Sequence, residues 1–117
     1  MESHDLVGVL AHTDGHLLVD CLGTWLTAVL DERELWDAPA GAVTAVVERL
    51  LAEAADVLRV RDHGGDIVLV TNEVGMGVVP EHRSGRLFRD LLGLANQRLA
   101  AVCDEVHLVI AGRVIRL

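Results

Sequence analysis

Residues 66–80 read DIVLVTNEVGMGVVP, an apolar run that leads into a polar loop with two glycines. The apolar residues 67–70 are typical of a buried strand in a parallel sheet, because such a sheet is covered on both faces. In the loop 72–80, Gly75 and Gly77 allow a close backbone approach or a positive φ. A long loop in a compact domain is more often functional than idle, and an ordinary connection between strand and helix is the alternative.

Strands and helices alternate on both sides of this stretch. The predicted strands are 17–22, 66–71, 105–111 and 113–117, the last two joined around Gly112. The predicted helices are 5–11, 24–30, 41–61 and 83–102, with Asp5 as the N-cap of the first. This order favours right-handed βαβ units. We therefore expect an α/β fold in which helices flank a mostly parallel sheet of three or four strands.

The 117 residues fit one small domain, 1–117, and hydrophobic residues make up 51% of them, enough to bury a core. In the helix 41–61, apolar residues recur at helical spacing: Ala42, Val46, Leu50, Ala54 and Leu58, widened by Val43, Val47, Leu51 and Val57. In the helix 83–102, the predicted core positions are Leu87, Phe88, Leu91, Leu92, Ala95 and Leu99. Because parallel sheets are usually larger, the sequence predicts part of a domain.

The charge balance excludes several partners. Ten basic and eighteen acidic residues give a net charge of −8, which argues against nucleic acid and anionic lipid. The apolar runs are too short to cross a bilayer and the amino terminus is unlike a signal peptide, so we expect a soluble cytoplasmic protein. All the basic residues are Arg. Without Lys, the phosphate-binding sequence G-x-x-x-x-G-K-[ST] cannot occur in these residues.

Cysteine and histidine give little sign of a metal site. Cys21 and Cys103 lie in or beside apolar runs without zinc-ligand spacing, so we expect two reduced and mostly buried thiols. His12 and His16 are four residues apart, but the helix-breaking residues 14–15 separate them. We expect both to be solvated loop histidines.

Charged residues follow both central strands. Asp20 ends the first strand and Glu73 follows the second, at the carboxyl ends where parallel sheets bind ligands. A carboxylate there suits Mg²⁺, and the alternative is that Asp20 caps the next helix. Arg83, Arg86, Arg89 and Asp90 crowd the start of the helix 83–102. They could contact phosphate, or Arg86 and Asp90 could form a surface pair.

These segments resemble a known family. The stretch VTNEVGMGVVPE at 70–81, with RLFRD at 86–90 and NQRLA at 96–100, is similar to the signature of the bifunctional adenosylcobinamide kinase/adenosylcobinamide-phosphate guanylyltransferases. The resemblance continues through residues 104–106 to the end of the chain. Upstream, LVDCLGTWL at 18–26 resembles a second block of that family, so the likeness covers essentially the whole chain.

The resemblance implies a RecA-like P-loop NTPase fold, usually a homotrimer, that acts in cobalamin biosynthesis. Such enzymes phosphorylate adenosylcobinamide with ATP or GTP and Mg²⁺. They then take GMP from GTP onto a histidine and pass it to the phosphate. Asp20 and Glu2 match nucleotide-binding positions, with Asp20 a possible Mg²⁺ ligand. The matching motifs also contain candidate phosphate or substrate contacts: Asn72, Glu73, Arg86, Arg89 and Asp90.

One part of the family pattern is missing from these residues. The family begins with a strand, the phosphate loop and the guanylylated histidine, so we expect this chain to lack the P-loop strand and to be inactive alone. An alternative is a non-catalytic remnant or assembly subunit that binds nucleotide or homologous chains without turnover. An unrelated small α/β binding domain is a third. Without the missing strand, apolar surface is left in water at about 25 cal/mol per Å², which predicts instability, aggregation or assembly.

Overall fold

The computed structural model describes residues 5–61 and 64–117, and these form the eight elements predicted from the sequence. In chain order they are α1 (Leu6–His12), β1 (Leu17–Asp20), α2 (Leu22–Glu32), α3 (Ala40–Val60), β2 (Ile67–Val70), α4 (Arg83–Ala100), β3 (His107–Ile110) and β4 (Arg113–Arg116). The Asp5 carboxylate caps α1 as predicted, accepting a hydrogen bond from the Gly8 backbone N–H at 3.0 Å.

The strands pair in two separate sheets. Strands β1 and β2 are parallel, with Leu17 opposite Ile67 and Asp20 opposite Val70. Strands β3 and β4 form an antiparallel hairpin of their own. The prediction of one mostly parallel sheet is therefore wrong for the C-terminal strands. The cause is the two-residue turn at Ala111 and Gly112, whose φ values of 52° and 73° suit a tight hairpin.

Contacts between the segment before β1 and the segment before β2 hold the two strands side by side. The Arg61 guanidinium donates to the carbonyls of Leu10 and Gly15, both at 3.1 Å, and so ties the end of α3 to the segment before β1. The Asp66 N–H donates to His16 Nδ1 at 3.0 Å. Gly65 packs so closely that a Cβ there would lie 2.2 Å from the Gly15 carbonyl carbon. These contacts set the register of the parallel pair.

All four helices contribute to one core. In α4 the predicted positions are buried except Phe88, which is partly exposed. In α3 the centre of the predicted stripe is displaced. Its buried residues are Val43, Val47, Leu51, Ala54 and Ala55, whereas Ala42 is exposed and Val46, Leu50 and Leu58 are intermediate. The buried face thus joins Val43, Val47 and Leu51, which widened the predicted stripe, to Ala54 from the stripe itself, and α1 and α4 are the helices that pack on α3.

Only one face of the parallel pair is covered by the described residues. Leu17, Val19, Ile67 and Leu69 pack against the core. The alternate side chains point the other way and are exposed: Leu18 (66%), Val68 (53%) and Val70 (38%). We call these three residues the open face. Parallel sheets are normally covered on both sides, so the open face is unusual for its class.

The hairpin also exposes apolar side chains. Val109, Val114 and Leu117 are 64%, 62% and 74% exposed. No helix within the described ranges 5–61 and 64–117 is long and apolar enough to cross a membrane.

Candidate functional site

Two loops leave the parallel pair at the same edge. Because Asp20 is opposite Val70, the loop that begins at Thr71 leaves the sheet at the same edge as Asp20. Asp20 is exposed and alternates with Val19, so it lies on the same side of the sheet as the open face. Open parallel sheets bind ligands at this edge, so a ligand site beside Asp20 stays a prediction from the sequence.

Asn96 of α4 fixes the start of the loop. Its Nδ2 donates to the Asn72 carbonyl at 3.0 Å, and its Oδ1 accepts from Thr71 Oγ1 at 2.6 Å. The sequence analysis quoted Asn96 within a motif but did not name it as a site residue. The sequence places a polar side chain beside the core position Ala95, but it does not show which backbone groups that side chain meets in the fold.

The next turn of the loop is built around Gly75. Glu73 Oε1 accepts a hydrogen bond from the Gly75 N–H at 2.6 Å, and the Gly75 carbonyl accepts from Arg89 Nη2 at 3.3 Å. A Cβ on Gly75 would lie 2.9 Å from Glu73 Oε1, so only glycine fits without a shift of that side chain. Glu73 and Arg89 therefore shape the loop from either side.

A cavity of about 390 Å³ lies between this loop and α4. Its lining consists of Glu73, Val74, Gly75, Arg89, Asp90, Gly93, Leu94, Asn96 and Gln97. It brings together three predicted site residues, Glu73, Arg89 and Asp90, with two that the sequence analysis missed, Asn96 and Gln97. Arg89 Nη1 is buried and has no hydrogen-bond partner among residues 5–61 and 64–117. We call this space the loop cavity.

The other two arginines of the cluster, Arg83 and Arg86, donate hydrogen bonds to backbone carbonyls. Arg86 Nη1 donates to the carbonyls of Pro80, at 3.2 Å, and Glu81. Arg83 donates to the carbonyls of Trp36 and Ala38. Neither lines the loop cavity, and the surface pair considered for Arg86 and Asp90 is not formed. Asn72 enters the site through its backbone carbonyl.

A second cavity, of about 420 Å³, surrounds the start of α2. Cys21 is the N-cap of α2, without a side-chain capping bond, so the alternative in which Asp20 caps this helix is wrong. Cys21 Sγ lies 3.3 Å from Thr24 Oγ1, and this side-chain hydrogen bond, followed by one to the Thr24 backbone, lowers the pKa of the thiol.

The prediction of two mostly buried thiols is wrong. Cys21 is only partly buried and Cys103 is exposed, and both are free. Desolvation of the Cys103 sulfur, with a smaller effect of the Asp104 charge, raises the pKa of that thiol. The two cysteines thus differ in the direction of their pKa shifts.

The described residues contain no group of three or more His, Cys, Asp and Glu side chains that could hold a metal ion. Asp20 alone offers an exposed carboxylate at a strand end. Mg²⁺ commonly binds proteins through one or two carboxylates together with substrate phosphates, so a single carboxylate in this position fits it. The other predicted nucleotide-binding residue, Glu2, lies outside the described residues.

Comparison with known proteins identifies the family. Residues 1–117 match the family described as cobinamide kinase / cobinamide phosphate guanyltransferase. The chain belongs to this family. The resemblance predicted from the sequence is thereby confirmed.

Three curated relatives agree with the cobinamide kinase / cobinamide phosphate guanyltransferase assignment. The bifunctional adenosylcobalamin biosynthesis protein CobU of Salmonella typhimurium is 41% identical over 107 residues, 85% of this chain and 56% of the relative. The protein of that name from Escherichia coli is 39% identical over 104 residues, 82% and 54%. The Pseudomonas aeruginosa protein CobP is 38% identical over 97 residues, 82% and 49%. The chain spans about half the length of these relatives.

Proposed function

We propose that this chain takes part in the two reactions of its family, the phosphorylation of adenosylcobinamide and the transfer of GMP to the product. The observation that carries the proposal is the shared strand edge, where Asp20 lies beside a loop whose sequence is typical of the family. In the first reaction, the substrate hydroxyl oxygen forms a bond to the γ-phosphorus of ATP or GTP, and the bond to the diphosphate leaving group breaks. In the second, the new phosphate receives GMP from GTP by way of a histidine, and pyrophosphate leaves.

Asp20 is the residue we assign to the nucleotide. Its carboxylate would hold Mg²⁺, which, when bound, neutralises phosphate charge. Glu2 is assigned to the nucleotide on the family pattern alone. The loop cavity lies at the same edge, and we assign its lining residues Glu73, Arg89 and Asp90 to contact with the substrate. We assign Arg86 to support of the loop, because both of its described partners are backbone carbonyls.

The fold we propose is of the RecA-like P-loop type. Its support is a parallel strand pair with helices packed on one side and ligand-binding residue types at the carboxyl edge. The open face supports the further proposal that more polypeptide covers this sheet, from the same protein or from other subunits of an assembly such as a homotrimer. A cytoplasmic location, where the nucleotides are found, follows from this function.

A second candidate is a non-catalytic subunit that binds nucleotide or homologous chains without turnover. These 117 residues contain no Lys and so cannot by themselves form the phosphate loop G-x-x-x-x-G-K-[ST], and this candidate describes what they would do alone.

Nucleotide binding and turnover, measured separately, test both candidates. Mg-GTP binding is measured by calorimetry on the folded 117-residue chain, and adenosylcobinamide phosphate is measured as product. We expect binding that Asp20→Asn weakens about tenfold or more, by loss of a charged ligand. Asp37→Asn is the matched control, an exposed carboxylate away from the strand ends.

Turnover then separates the two candidates. Product formation supports the catalytic function, whereas binding without product supports the non-catalytic subunit. A folded chain that does not bind Mg-GTP would contradict the catalytic function and would leave, of the second candidate, only the subunit that binds homologous chains.

A further inference from the structure

Arg89, on the wall of the loop cavity, has polar atoms that the described residues leave without an acceptor. Arg89 contributes one nitrogen to the Gly75 carbonyl at 3.3 Å, while Nη1 is buried without a partner. A buried charged donor without an acceptor is costly, and in native proteins such a group is usually satisfied by a ligand or an ordered water. Arg89 also forms no ion pair with the described residues, so its guanidinium is a cation on the cavity wall that remains available to a ligand oxygen.

The same cavity also offers acceptors. Asp90 is exposed and makes no hydrogen bond or ion pair with the described residues 5–61 and 64–117. Glu73 uses Oε1 for the Gly75 N–H. Gln97 adds a side-chain amide that can donate and accept. The lining thus combines one cation with two carboxylates.

This combination disfavours a polyphosphate. Two carboxylates oppose a phosphate group at close range, and Arg89 is the one positive side chain on the cavity wall. A primary carboxamide fits better, because it carries an N–H₂ donor and a carbonyl acceptor on one carbon. Asp90 can accept from the N–H₂ group while Arg89 donates to the carbonyl oxygen.

The size of the cavity and the apolar residues of its loop indicate which part of a ligand enters the cavity and which part stays outside. A volume of about 390 Å³ is near the lower end for small-molecule sites, so it admits side chains rather than a whole corrin macrocycle. Outside, the loop exposes Met76 (74%), Val78 (93%) and Val79 (63%). Three exposed apolar side chains on one loop suit contact with an apolar ring.

We propose that the loop cavity binds carboxamide side chains of the corrinoid substrate, with Asp90 accepting from the amide nitrogen and Arg89 donating to the amide oxygen. Cobinamide has several such amides around its macrocycle, and the exposed loop residues Met76 and Val78 pack against the ring. The inference rests on the proposed function and adds the part of the substrate that this cavity recognises.

A pair of probes tests it on the 117-residue chain, with folding verified by circular dichroism. The first is dicyanocobinamide, followed by its absorbance in equilibrium dialysis, and the second is the matching corrinoid whose side-chain amides are carboxylic acids. We expect the chain to prefer the amide probe by about tenfold or more, because Asp90 and Glu73 oppose an acid. Asp90→Asn should weaken the amide probe and strengthen the acid probe, so that the preference nearly disappears.

Further variants separate this interaction from general damage. Arg89→Gln should weaken the amide probe by about tenfold, and Arg89→Lys, a smaller change, should weaken it less. Asp104→Asn, outside the cavity, should leave both affinities unchanged. Equal binding of the two probes by the unmodified chain would overturn the proposal, as would an unchanged preference in Asp90→Asn.

Nucleotide binding is measured on the same preparations. Competition between guanosine and dicyanocobinamide that Asp90→Asn abolishes would assign the cavity to the guanine base and overturn the corrinoid proposal. Mg-GTP binding without any corrinoid binding would overturn the corrinoid site while leaving the assignment of Asp20 intact. Loss of both in a folded chain would overturn the proposed function as well.

Discussion

Asn96 holds the backbone of Asn72 across 24 residues of sequence, with its Nδ2 3.0 Å from the Asn72 carbonyl oxygen. The second arm of the same amide accepts from the Thr71 hydroxyl at 2.6 Å. One side chain of α4 therefore satisfies two polar groups at the point where β2 ends. The loop 72–80 starts from a fixed position, which is a requirement for any ligand site built on it.

We expect Asn96→Leu to destabilise the fold by about 0.5–1.5 kcal/mol, because it removes two hydrogen bonds whose exposed partners, the Asn72 carbonyl and the Thr71 hydroxyl, can then bond to water. Urea unfolding measures the change. Thr71→Val removes the hydroxyl at the other end of the interaction. The double variant should be less destabilised than the sum of the two, and strict additivity would contradict the contact.

Gly65→Ala should be among the most damaging single changes in the chain. Its Cβ would lie 2.2 Å from the Gly15 carbonyl carbon and 2.4 Å from the His16 nitrogen, both backbone atoms that cannot turn away. We expect a loss of about 2–3 kcal/mol or failure to fold. Gly41→Ala is the control, since a Cβ there meets nothing within 4 Å and alanine favours the helix. Equal thermal midpoints for the two variants would show that the close approach is absent.

The two thiols should differ in reactivity. The thiolate is the reactive form, so a lowered pKa makes Cys21 react at a lower pH than a free thiol, and the raised pKa of Cys103 has the opposite effect. Iodoacetamide labelling across pH, followed by peptide mass spectrometry, should show Cys21 alkylated first near neutral pH. Thr24→Val removes the main cause of the lowered pKa and should shift the Cys21 profile upward, leaving Cys103 unchanged. Identical profiles for the two cysteines would be the contrary result.

The open face should cause the isolated chain to self-associate. Leu18 and Val68 expose 66% and 53% of their area, and burial of apolar area contributes about 25 cal/mol per Å². Sedimentation velocity should show association that increases with concentration. Val68→Lys should raise the dissociation constant about tenfold or more, because a charge would have to be buried. Ala45→Lys on the exposed side of α3 is the control. A cooperative thermal transition from a dilute, monomeric chain would be evidence against the prediction.

Periodicity predicted the elements well, because each segment carries its own signal. Helix α4, with Leu87, Leu91 and Leu99 buried as expected, is one example. The pairing of β3 was predicted wrongly, because the run of apolar residues indicates a strand but does not show which other strand it pairs with. The tight turn at Gly112 was recognised, and an antiparallel hairpin follows from it.

The site was predicted less completely than the fold. Glu73, Arg89 and Asp90 were singled out from their positions, and they do line one cavity. The sequence alone does not distinguish the roles of Arg86 and Arg89, because these depend on which groups of the folded loop lie near each side chain. Asn96 was missed for the same reason: its role depends on the ends of β2 and the face of α4 meeting in space.

Asp20 shares its side of the sheet with the open face, and this has a consequence for how an assembly and an ion would influence each other. Any polypeptide that settles on Leu18, Val68 and Val70 also removes water from around the Asp20 carboxylate. In that drier surrounding, the attraction between the carboxylate and a cation is stronger, and an unpaired carboxylate is more costly. A bound cation would then increase the affinity of the sheet for the covering polypeptide, and the polypeptide would increase the affinity for the cation by the same factor.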